Sequence, residues 1–438
     1  MHPEQIQEPA TDAVELDAIT QVGIGCYRMS RGVELHHAAL ERALQLGCTL
    51  IDTAANYGDG KSEELIGEVL SSNAQYKAFV ITKAGYITSS TADRLEAAGV
   101  DTAELHRISP ESQYSIAPDV LRVQLEESRK RLGRQKLDAV LLHNPEHYIN
   151  SESVKHSPEG FRGAIQKAFE VLEEYIAEGK LRYYGVSSNT LAAPPGQADR
   201  ICFHDLLSWA EEVSPSHHFR FVEFPFNLGE TEAKAPQANG PSLIDQIRAS
   251  GLRSIANRPL NSPRGNQLLR FATYDEAKDL VPEQETAPYE QCVNLIADRL
   301  RHADLPHKVM DFSVMQFLRD NWHGIEHPDT VDQIFGRHFY PFVEQLWGEE
   351  ITPDVKAACA SLHLKARAFA QQKLTARGEQ LREELIGAGT IGSDDRRPLA
   401  VIACDYPLQS GMDHVLVGMR TPQYVEGLRQ LIIKRMAH

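Results

Sequence analysis

The sequence contains no long apolar run, no cluster of positive charge and no paired cysteine motif. No stretch approaches the roughly 20 apolar residues that a membrane span requires, and residues 1–17 are polar and acidic, unlike a signal or transit peptide. Acidic residues outnumber basic ones by 61 to 45, which gives a formal charge of −16. Because nucleic acids and anionic membranes attract clustered positive charge, we expect neither as a partner. The composition predicts a cytoplasmic protein that acts on a small molecule.

Metal sites and disulfides are also not expected. The six cysteines are dispersed and none forms a C-x-x-C pair. The histidine pairs 36–37 and 217–218 consist of adjacent residues, which point in different directions and lack the i,i+4 spacing of a helical metal site. We therefore predict no metal ligands.

Short apolar runs alternate with longer amphipathic segments over much of the 438 residues, as in βαβ units around a parallel sheet. The helical pattern is clearest at His36–Leu46, Glu63–Leu70, Ala117–Leu132 and Phe161–Glu178. The predicted strands are Ile19–Ile24, Thr49–Asp52, Phe79–Lys83, Ala139–His143, Tyr184–Ser187, Arg220–Glu223, Arg253–Ala256 and His414–Val417. Eight such units predict an α/β fold, the (β/α)8 TIM barrel. A doubly wound sheet is rejected because the run from Gly23 to Arg28 lacks the third glycine of a dinucleotide fingerprint.

Two stretches exceed what a barrel needs. Residues Gly85–Ile116 are predicted to form a long loop. Asn266–Arg397 has helical periodicity, so residues 1–438 are interpreted as a single barrel domain with a helical insertion at about 266–397. A lid, a specificity element, an oligomer surface and a peripheral decoration all remain open for it. Its predicted helices are Met310–Arg319, Val331–Trp347, Pro353–Gln372 and Gly378–Ile386.

Ionisable residues follow three successive predicted strands. Asp52 and Tyr57 follow the second, Lys83 ends the third and His143 ends the fourth. The catalytic groups of such barrels lie at the C-terminal ends of the strands, so these four side chains are expected to converge. Each alone has an ordinary structural explanation, such as a loop cap, an ion pair or a buried histidine.

Together these groups suit carbonyl reduction. A hydride transferred from a nicotinamide leaves negative charge on the substrate oxygen, so a proton donor must lie beside it. Tyr57 can be that donor, because an ammonium at Lys83, held by Asp52, favours the phenolate and brings proton release closer to neutral pH. His143 can orient the carbonyl as a hydrogen-bond donor.

At these residues the sequence resembles the aldo-keto reductase superfamily. Residues 52–58, with Ser62, Glu63 and Gly67, are similar to its first signature, and Lys83 and His143 lie in segments similar to the next two. Residues 179–189 resemble its fifth-strand segment and 413–422 its C-terminal cofactor segment. The resemblance implies a barrel that binds NADP(H), with NAD(H) as the alternative, and a catalytic tetrad of Asp52, Tyr57, Lys83 and His143.

The same resemblance implies a set of cofactor contacts. The nicotinamide carboxamide would be bound by Ser187 and Ser188, or by Ser188 and Asn189 if the register shifts by one, and Arg420 would bind the adenosine 2′-phosphate. Gly418 would allow the backbone to come close to the cofactor. The predicted cofactor-binding residues are Ser187, Ser188, Asn189, Glu223, Gly418, Arg420 and Glu426.

The sequence departs from the family pattern at three positions. Glu223 stands where the family usually has Gln, Asn257 stands where a tyrosine commonly stacks on the nicotinamide, and Gly427 replaces an Asn that follows Glu426. Three functions are carried forward: an NADP(H)-dependent aldehyde or ketone reductase, a sugar dehydrogenase working in the oxidative direction, and a cofactor-binding regulatory protein similar to potassium-channel β-subunits. The natural substrate and the oligomeric state are not readable from the sequence.

Overall fold

The computed structural model describes residues 14–102, 105–109, 112–149, 158–237, 240–265, 267–274, 286–302 and 313–434. Eight parallel strands close into a barrel in which each strand pairs with its neighbours in the chain and the last pairs with the first. This confirms the predicted (β/α)8 fold with a large helical insertion. The barrel strands are β1 Val22–Gly25, β2 Leu50–Asp52, β3 Phe79–Ala84, β4 Leu137–His143, β5 Leu181–Ser187, β6 Phe219–Pro225, β7 Arg253–Asn257 and β8 His414–Val417.

One barrel helix illustrates how the sequence sets the start and the end of a helix. Helix Pro118–Leu132 has proline in its first turn and three basic residues in its last turn, and it ends at Gly133 in the left-handed conformation with φ 65°. The helices of the chain are α1 Glu34–Gln45, α2 Lys61–Ser72, α3 Ser89–Ala97, α4 Pro118–Leu132, α5 Glu146–Ile149, α6 Pro158–Ala177, α7 Phe203–Val213, α8 Leu243–Ala249, α9 Ala287–His302, α10 Ser313–Asn321, α11 Pro328–Ile334, α12 Tyr340–Trp347, α13 Pro353–Gly387, α14 Leu399–Gln409, α15 Pro422–Gly427 and α16 Arg429–Lys434.

The strand register places the C-terminal ends of neighbouring strands at one level. His143 lies opposite Ser187, and Ser187 lies opposite Glu223. The strands need little polar content elsewhere, because both faces of a parallel barrel are buried. Residues inside the barrel, among them Leu50, Phe79, Ile81, Leu141 and Phe221, pack into one apolar cluster. The polar side chains that end the strands are therefore gathered at one mouth above an apolar plug.

Two predicted elements of the barrel differ from the structure. The first strand begins at Val22 rather than Ile19, because Leu16–Ala18 form a turn of 3-10 helix. The prediction of a long loop at Gly85–Ile116 is wrong for the described residues of that range. It contains α3, begun by the side chain of Thr88 accepting a hydrogen bond from Thr91 N, and a small antiparallel sheet. Strands Tyr86–Ile87, His106–Ser109 and Ser112–Tyr114 form that sheet, and residues 103–104 and 110–111 of the predicted loop lie outside the described residues.

The chain divides into two compact units, residues 1–268 with 401–438, and residues 269–400. The second contains α9 to α13, and a π-helix at Phe335–Phe339 joins α11 to α12. Its core is aromatic and aliphatic, with Trp322, Phe335, Phe339, Leu362 and Phe369 all buried. The interpretation of the chain as one domain with an insertion at about 266–397 stays a prediction.

The helical unit corrects two predicted helices. Pro353–Gln372 and Gly378–Ile386 are parts of one helix, α13, which begins at the Thr352 cap. Gly378 does not end it; a Cβ there would lie 2.6 Å from the carbonyl oxygen of Ala272, so glycine permits a close backbone approach. The predicted helix Met310–Arg319 is described from residue 313 only, and residues 310–312 lie outside the described residues.

Short strand pairs also occur at Pro236–Gln237 with Gly240–Ser242 and at Asn261–Arg264 with Gln267–Arg270. Within the part of the chain that the structure describes, no helix combines the length and apolar character needed to span a bilayer.

Candidate active site

The turn that carries Tyr57 is held by hydrogen bonds at both of its ends. The hydroxyl of Thr53 donates to the hydroxyl of Ser62 at 2.8 Å, and that hydroxyl donates to the carbonyl oxygen of Cys26 at 3.1 Å. The backbone N–H of Ser62 donates to the carbonyl oxygen of Tyr57 at 3.2 Å. Tyr57 therefore lies in a fixed turn between β2 and α2 rather than on a free loop.

The neighbouring signature residues hold α2 in place. Glu63 is fully buried and accepts hydrogen bonds from the Thr82 hydroxyl at 2.5 Å and from Arg131 Nε at 2.6 Å. Gly67 lies against the end of α4, where a Cβ would be 2.5 Å from the carbonyl oxygen of Arg131. These contacts explain why a buried carboxylate and a glycine occur in this helix.

The ammonium of Lys83 is buried between two carboxylates. It forms an ion pair with Asp52, and its Nζ lies 3.4 Å from Glu223 Oε2 and 3.3 Å from the carbonyl oxygen of Thr53. The other oxygen of Glu223 accepts a hydrogen bond from Asn257 Nδ2 at 2.8 Å. Two of the positions that depart from the family pattern, Glu223 and Asn257, are thus bonded to each other.

Tyr57 and His143 complete the predicted tetrad. Their ring centroids are 5.9 Å apart and nearly perpendicular, and Lys83 Nζ lies 5.4 Å from the centroid of the Tyr57 ring. The opposite neighbour of Tyr57 is Tyr27, with centroids 5.1 Å apart. The structure therefore brings Asp52, Tyr57, Lys83 and His143 together at the mouth, as predicted from their positions after the strands.

Burial dominates the electrostatics of this cluster. It raises the pKa of Tyr57 above its usual range, although the charge of Lys83 opposes this rise in the direction expected from the sequence. Burial, opposed by Lys83 and reinforced by Glu223, raises the pKa of Asp52 to about 7. Burial works to lower the pKa of Lys83, but Asp52 and Glu223 outweigh it and raise that pKa. Burial and Lys83 lower the pKa of His143 well below its usual range, so its imidazole is neutral.

Several buried polar atoms at the mouth have no hydrogen-bond partner among the described residues. They include Nδ1 of His143, Oε2 of Glu146 and Oδ1 of Asn257. Buried polar atoms are otherwise nearly always satisfied in folded proteins. Other such atoms are spread over the described residues, but these three lie at the barrel mouth, where they fit a site that binds a polar ligand.

The sequence interpretation missed an aromatic and polar cluster beside His143. The ring of Tyr86 lies 4.9 Å from that of His143, and its hydroxyl contacts His147 Nε2 at 2.7 Å and accepts from Asn144 Nδ2 at 2.8 Å. Asn144 has a left-handed backbone with φ 51°, which places its side chain toward Tyr86. The polar run after β4, residues 143–147, was the available signal.

The predicted carboxamide contacts lie at the end of β5. Ser187 is buried and ends that strand. The hydroxyl of Ser188 lies 3.3 Å from that of Thr190, and the backbone N–H of Asn189 donates to Glu146 Oε1 at 2.8 Å. Burial raises the pKa of Glu146 to about 7. The binding roles of these residues stay predictions.

The remaining predicted cofactor residues follow β8. Gly418 is exposed, and a Cβ there would meet no atom within 4 Å. Burial lowers the pKa of His36, and the positive charge of Arg420 adds to the decrease. Glu426 accepts a hydrogen bond from Arg42 Nε at 2.5 Å and lies at the surface. The structure does not bring Glu426 into the tetrad.

Among the described residues, no group of three or more His, Cys, Asp and Glu side chains is placed to hold a metal ion.

Residues 23–198 match the Aldo/keto reductase family. Over this segment the chain is similar to the aldo-keto reductases. The matched segment contains all four tetrad residues and most of the first five barrel strands. It ends before Glu223, Arg420 and Glu426.

Individual relatives are similar over part of their length. A D-threo-aldose 1-dehydrogenase from Pseudomonas sp is 29% identical over 188 residues, covering 41% of this chain and 53% of the relative. An NADP(+) aldo-keto reductase from Schizosaccharomyces pombe is 29% identical over 250 residues, covering 56% of this chain and 59% of the relative. The chain thus spans about half the length of these curated relatives.

Among solved structures, this chain is similar to a glycerol dehydrogenase from Gluconobacter oxydans, with 17% identity and a TM-score of 0.48 over 98% of this chain and 96% of that one.

Proposed function

We propose that this chain is an NADP(H)-dependent oxidoreductase that reduces an aldehyde or ketone to an alcohol, with Tyr57 as the proton donor. The observation that carries the proposal is that the Tyr57 ring lies close to both His143 and Lys83, with Lys83 bound to Asp52. Carbonyl reduction needs these groups close together, because each of them acts on the same substrate oxygen or on its proton donor. The carbonyl or alcohol substrate is a small molecule, and no nucleic-acid or membrane partner is proposed.

The residues at the mouth fit a nicotinamide cofactor. The unpartnered Oδ1 of Asn257 and the buried hydroxyl groups at the end of β5 can bind the carboxamide, and the open space at Gly418 lets a ligand approach the backbone. Arg420 would hold a 2′-phosphate through a charge-assisted hydrogen bond. This supports NADP(H) over NAD(H), in line with the cofactor printed in the name of the Schizosaccharomyces pombe relative.

The side chains have separate tasks. When bound, the reduced cofactor supplies a hydride to the carbonyl carbon. The neutral imidazole of His143 donates a hydrogen bond to the carbonyl oxygen and orients it, since burial keeps its pKa well below its usual range. Tyr57 gives its proton to that oxygen as negative charge develops. Lys83, fixed by Asp52, stabilises the phenolate that remains.

With its pKa raised, the phenol of Tyr57 is protonated at neutral pH, which is the form that reduction requires. Oxidation of an alcohol would need the phenolate as a base. A sugar dehydrogenase is the second candidate, and the D-threo-aldose 1-dehydrogenase among the relatives favours it.

The test is the initial rate of NADPH oxidation over a panel of aldehydes, ketones and quinones, beside NAD⁺ and NADP⁺ reduction over a panel of sugars. Tyr57→Phe is expected to lower kcat/KM by about 10²-fold or more, because it removes a general acid. Tyr27→Phe, which removes a hydroxyl from the ring beside Tyr57 and leaves the four tetrad residues unchanged, is the matched control and should stay within about threefold of the parent.

A Tyr57→Phe variant as fast as the parent would overturn the mechanism. Turnover on sugars alone would favour the dehydrogenase. Tight cofactor binding without turnover on either panel would favour a binding protein.

A further inference from the structure

Glu223 is a buried charge that the proposed reaction does not use. Its side chain is about 4% exposed, and Oε2 lies 3.4 Å from Lys83 Nζ, a cation already paired with Asp52. An amide at this position could still bond to Asn257, so the bonding pattern alone does not require a carboxylate. Its difference from glutamine is the negative charge.

The charges at the mouth do not balance. Asp52 and Glu223 together carry two formal negative charges, and Lys83 carries one positive charge. Tyr57 and Asn257, which contact this group, are uncharged. The nearby His143 is neutral as well, so the buried cluster has a formal charge of −1 when both carboxylates are ionised.

An unbalanced buried charge favours a ligand of opposite charge. The nicotinamide ring is cationic when oxidised and neutral when reduced, whereas the rest of the cofactor is identical in the two forms. A negative cluster where the ring binds therefore acts on one redox form only.

We infer that Glu223 is a specificity-determining residue that makes the site bind the oxidised, cationic nicotinamide more tightly than the reduced one. The inference rests on the proposed function, since it requires a nicotinamide at this mouth. The ring becomes cationic when the hydride leaves it, so Glu223 stabilises the enzyme complex formed by carbonyl reduction. Asn257 is a positioning residue in this arrangement, because its amide fixes the carboxylate.

The first experiment measures the Kd of NADP⁺ and of NADPH by calorimetry for the parent, Glu223→Gln and Glu173→Gln. Glu173 is the matched control. It is a partly buried carboxylate that accepts hydrogen bonds from His218. His218 directly precedes the first residue of β6, at the end of the strand away from Glu223. The ratio of the two Kd values cancels any contact that the new amide makes equally with both forms.

The parent is expected to bind NADP⁺ more tightly, and Glu223→Gln to reduce that preference by about tenfold. Glu173→Gln should change it by less than twofold. An equal ratio in all three proteins, with both forms bound, overturns the inference and leaves the proposed function standing. If the parent binds neither form, the proposed function fails and the inference fails with it.

A second measurement needs no variant and covers the case in which Glu223→Gln does not fold. Burial and Glu223 raise the pKa of Asp52 to about 7, so a cation bound beside the cluster should displace a proton at that pH. Calorimetry in buffers of different ionisation enthalpy should show more proton release with NADP⁺ than with NADPH. Equal release for the two forms overturns the inference.

Discussion

Two histidines, one in each compact unit, differ in how their ring nitrogens are used. In the helical unit, His363 Nδ1 lies 3.0 Å from the Tyr340 hydroxyl and Nε2 lies 3.0 Å from the carboxylate of Asp332. Its ring is parallel to that of Phe335, with centroids 4.4 Å apart. In the barrel, His143 is more deeply buried, yet its Nδ1 has no partner among the described residues.

The difference separates polar groups that hold a fold from polar groups available to a ligand. Both nitrogens of His363 are satisfied, and Asp332 also binds Arg367. Such a network gains stability from every bond it closes. At the barrel mouth, a buried nitrogen without a partner costs stability, and unsatisfied groups of this kind are expected where a ligand completes them.

The largest expected effect comes from breaking the charge cluster of the barrel. Lys83→Met leaves Asp52 and Glu223 buried without their cation, and removing one partner of a buried ion pair costs about 3–5 kcal/mol. We expect a loss of this size in the free energy of unfolding, measured in urea. The variant with Asp52→Asn and Glu223→Gln added is the control and should recover most of the loss, since no unpaired charge remains.

The matching change in the helical unit should cost less. Arg367→Met leaves Asp332 with His363 and with solvent, because that carboxylate is 36% exposed. Equal losses for Lys83→Met and Arg367→Met would contradict the contrast between the two clusters.

The two histidines should respond in opposite ways to the same change. His143→Gln is expected to lower kcat/KM about 10²-fold, because the flexible amide does not hold its donor where the imidazole orients the carbonyl, and to change the free energy of unfolding by less than about 1 kcal/mol. His363→Gln should cost about 1–2 kcal/mol, because the new side chain cannot bond to both Tyr340 and Asp332 in the same geometry. Steady-state rates and urea unfolding of both variants check this pair. A destabilised His143→Gln with unchanged kcat/KM would reverse the assignment.

The sequence predicted the barrel side of this comparison better than the helical side. All eight strands were found because a parallel barrel strand is a continuous apolar run, and the tetrad was found because its members directly follow those runs. The pairing of Glu223 with Asn257 was not predictable. It joins β6 to β7 through side-chain conformations that no linear pattern records.

The helical unit was predicted only as separate helices. The prediction ended one helix at Gln372 and began the next at Gly378, whereas the structure continues α13 through both and uses the glycine for a close contact with Ala272. The network around His363 joins residues of α11, α12 and α13 that are up to 35 positions apart in the chain. Such contacts depend on how helices pack, and periodicity gives only the face that each helix buries.

The two units should also differ in how pH affects them. Burial, opposed by Lys83 and reinforced by Glu223, raises the pKa of Asp52 to about 7. The folded state therefore holds more protons there than the unfolded state between pH 4 and 7, and this group's contribution to stability falls as pH rises through that window. In urea unfolding at several pH values, the free energy of unfolding should decline less steeply with rising pH for Asp52→Asn than for the parent.

Asp332 should have the opposite sign. Burial works to raise its pKa, but the hydrogen bonds from His363 and Arg367 outweigh it and lower that pKa. Its contribution is present above about pH 4 and is lost as pH falls through the folded value. The difference in stability between the parent and Asp332→Asn should shrink in acid. A difference that grows in acid would show that Asp332 is not held as a carboxylate.

The smallest effect should come from deleting a single bond of the satisfied network. Tyr340→Phe removes the hydroxyl that lies 3.0 Å from His363 Nδ1 and keeps the ring, which is half-buried. We expect a loss of about 1 kcal/mol in the free energy of unfolding.

Tryptophans 322 and 347 lie in the helical unit, and Trp209 lies in the barrel. Fluorescence in a Trp209→Phe background therefore reports on the helical unit alone. The variant that combines His363→Gln with Tyr340→Phe should lose little more free energy of unfolding than His363→Gln alone, because both changes break the same bond. Fully additive losses would mean that Tyr340 and His363 stabilise the unit separately, and the contrast with His143 would then rest on burial rather than on a closed network.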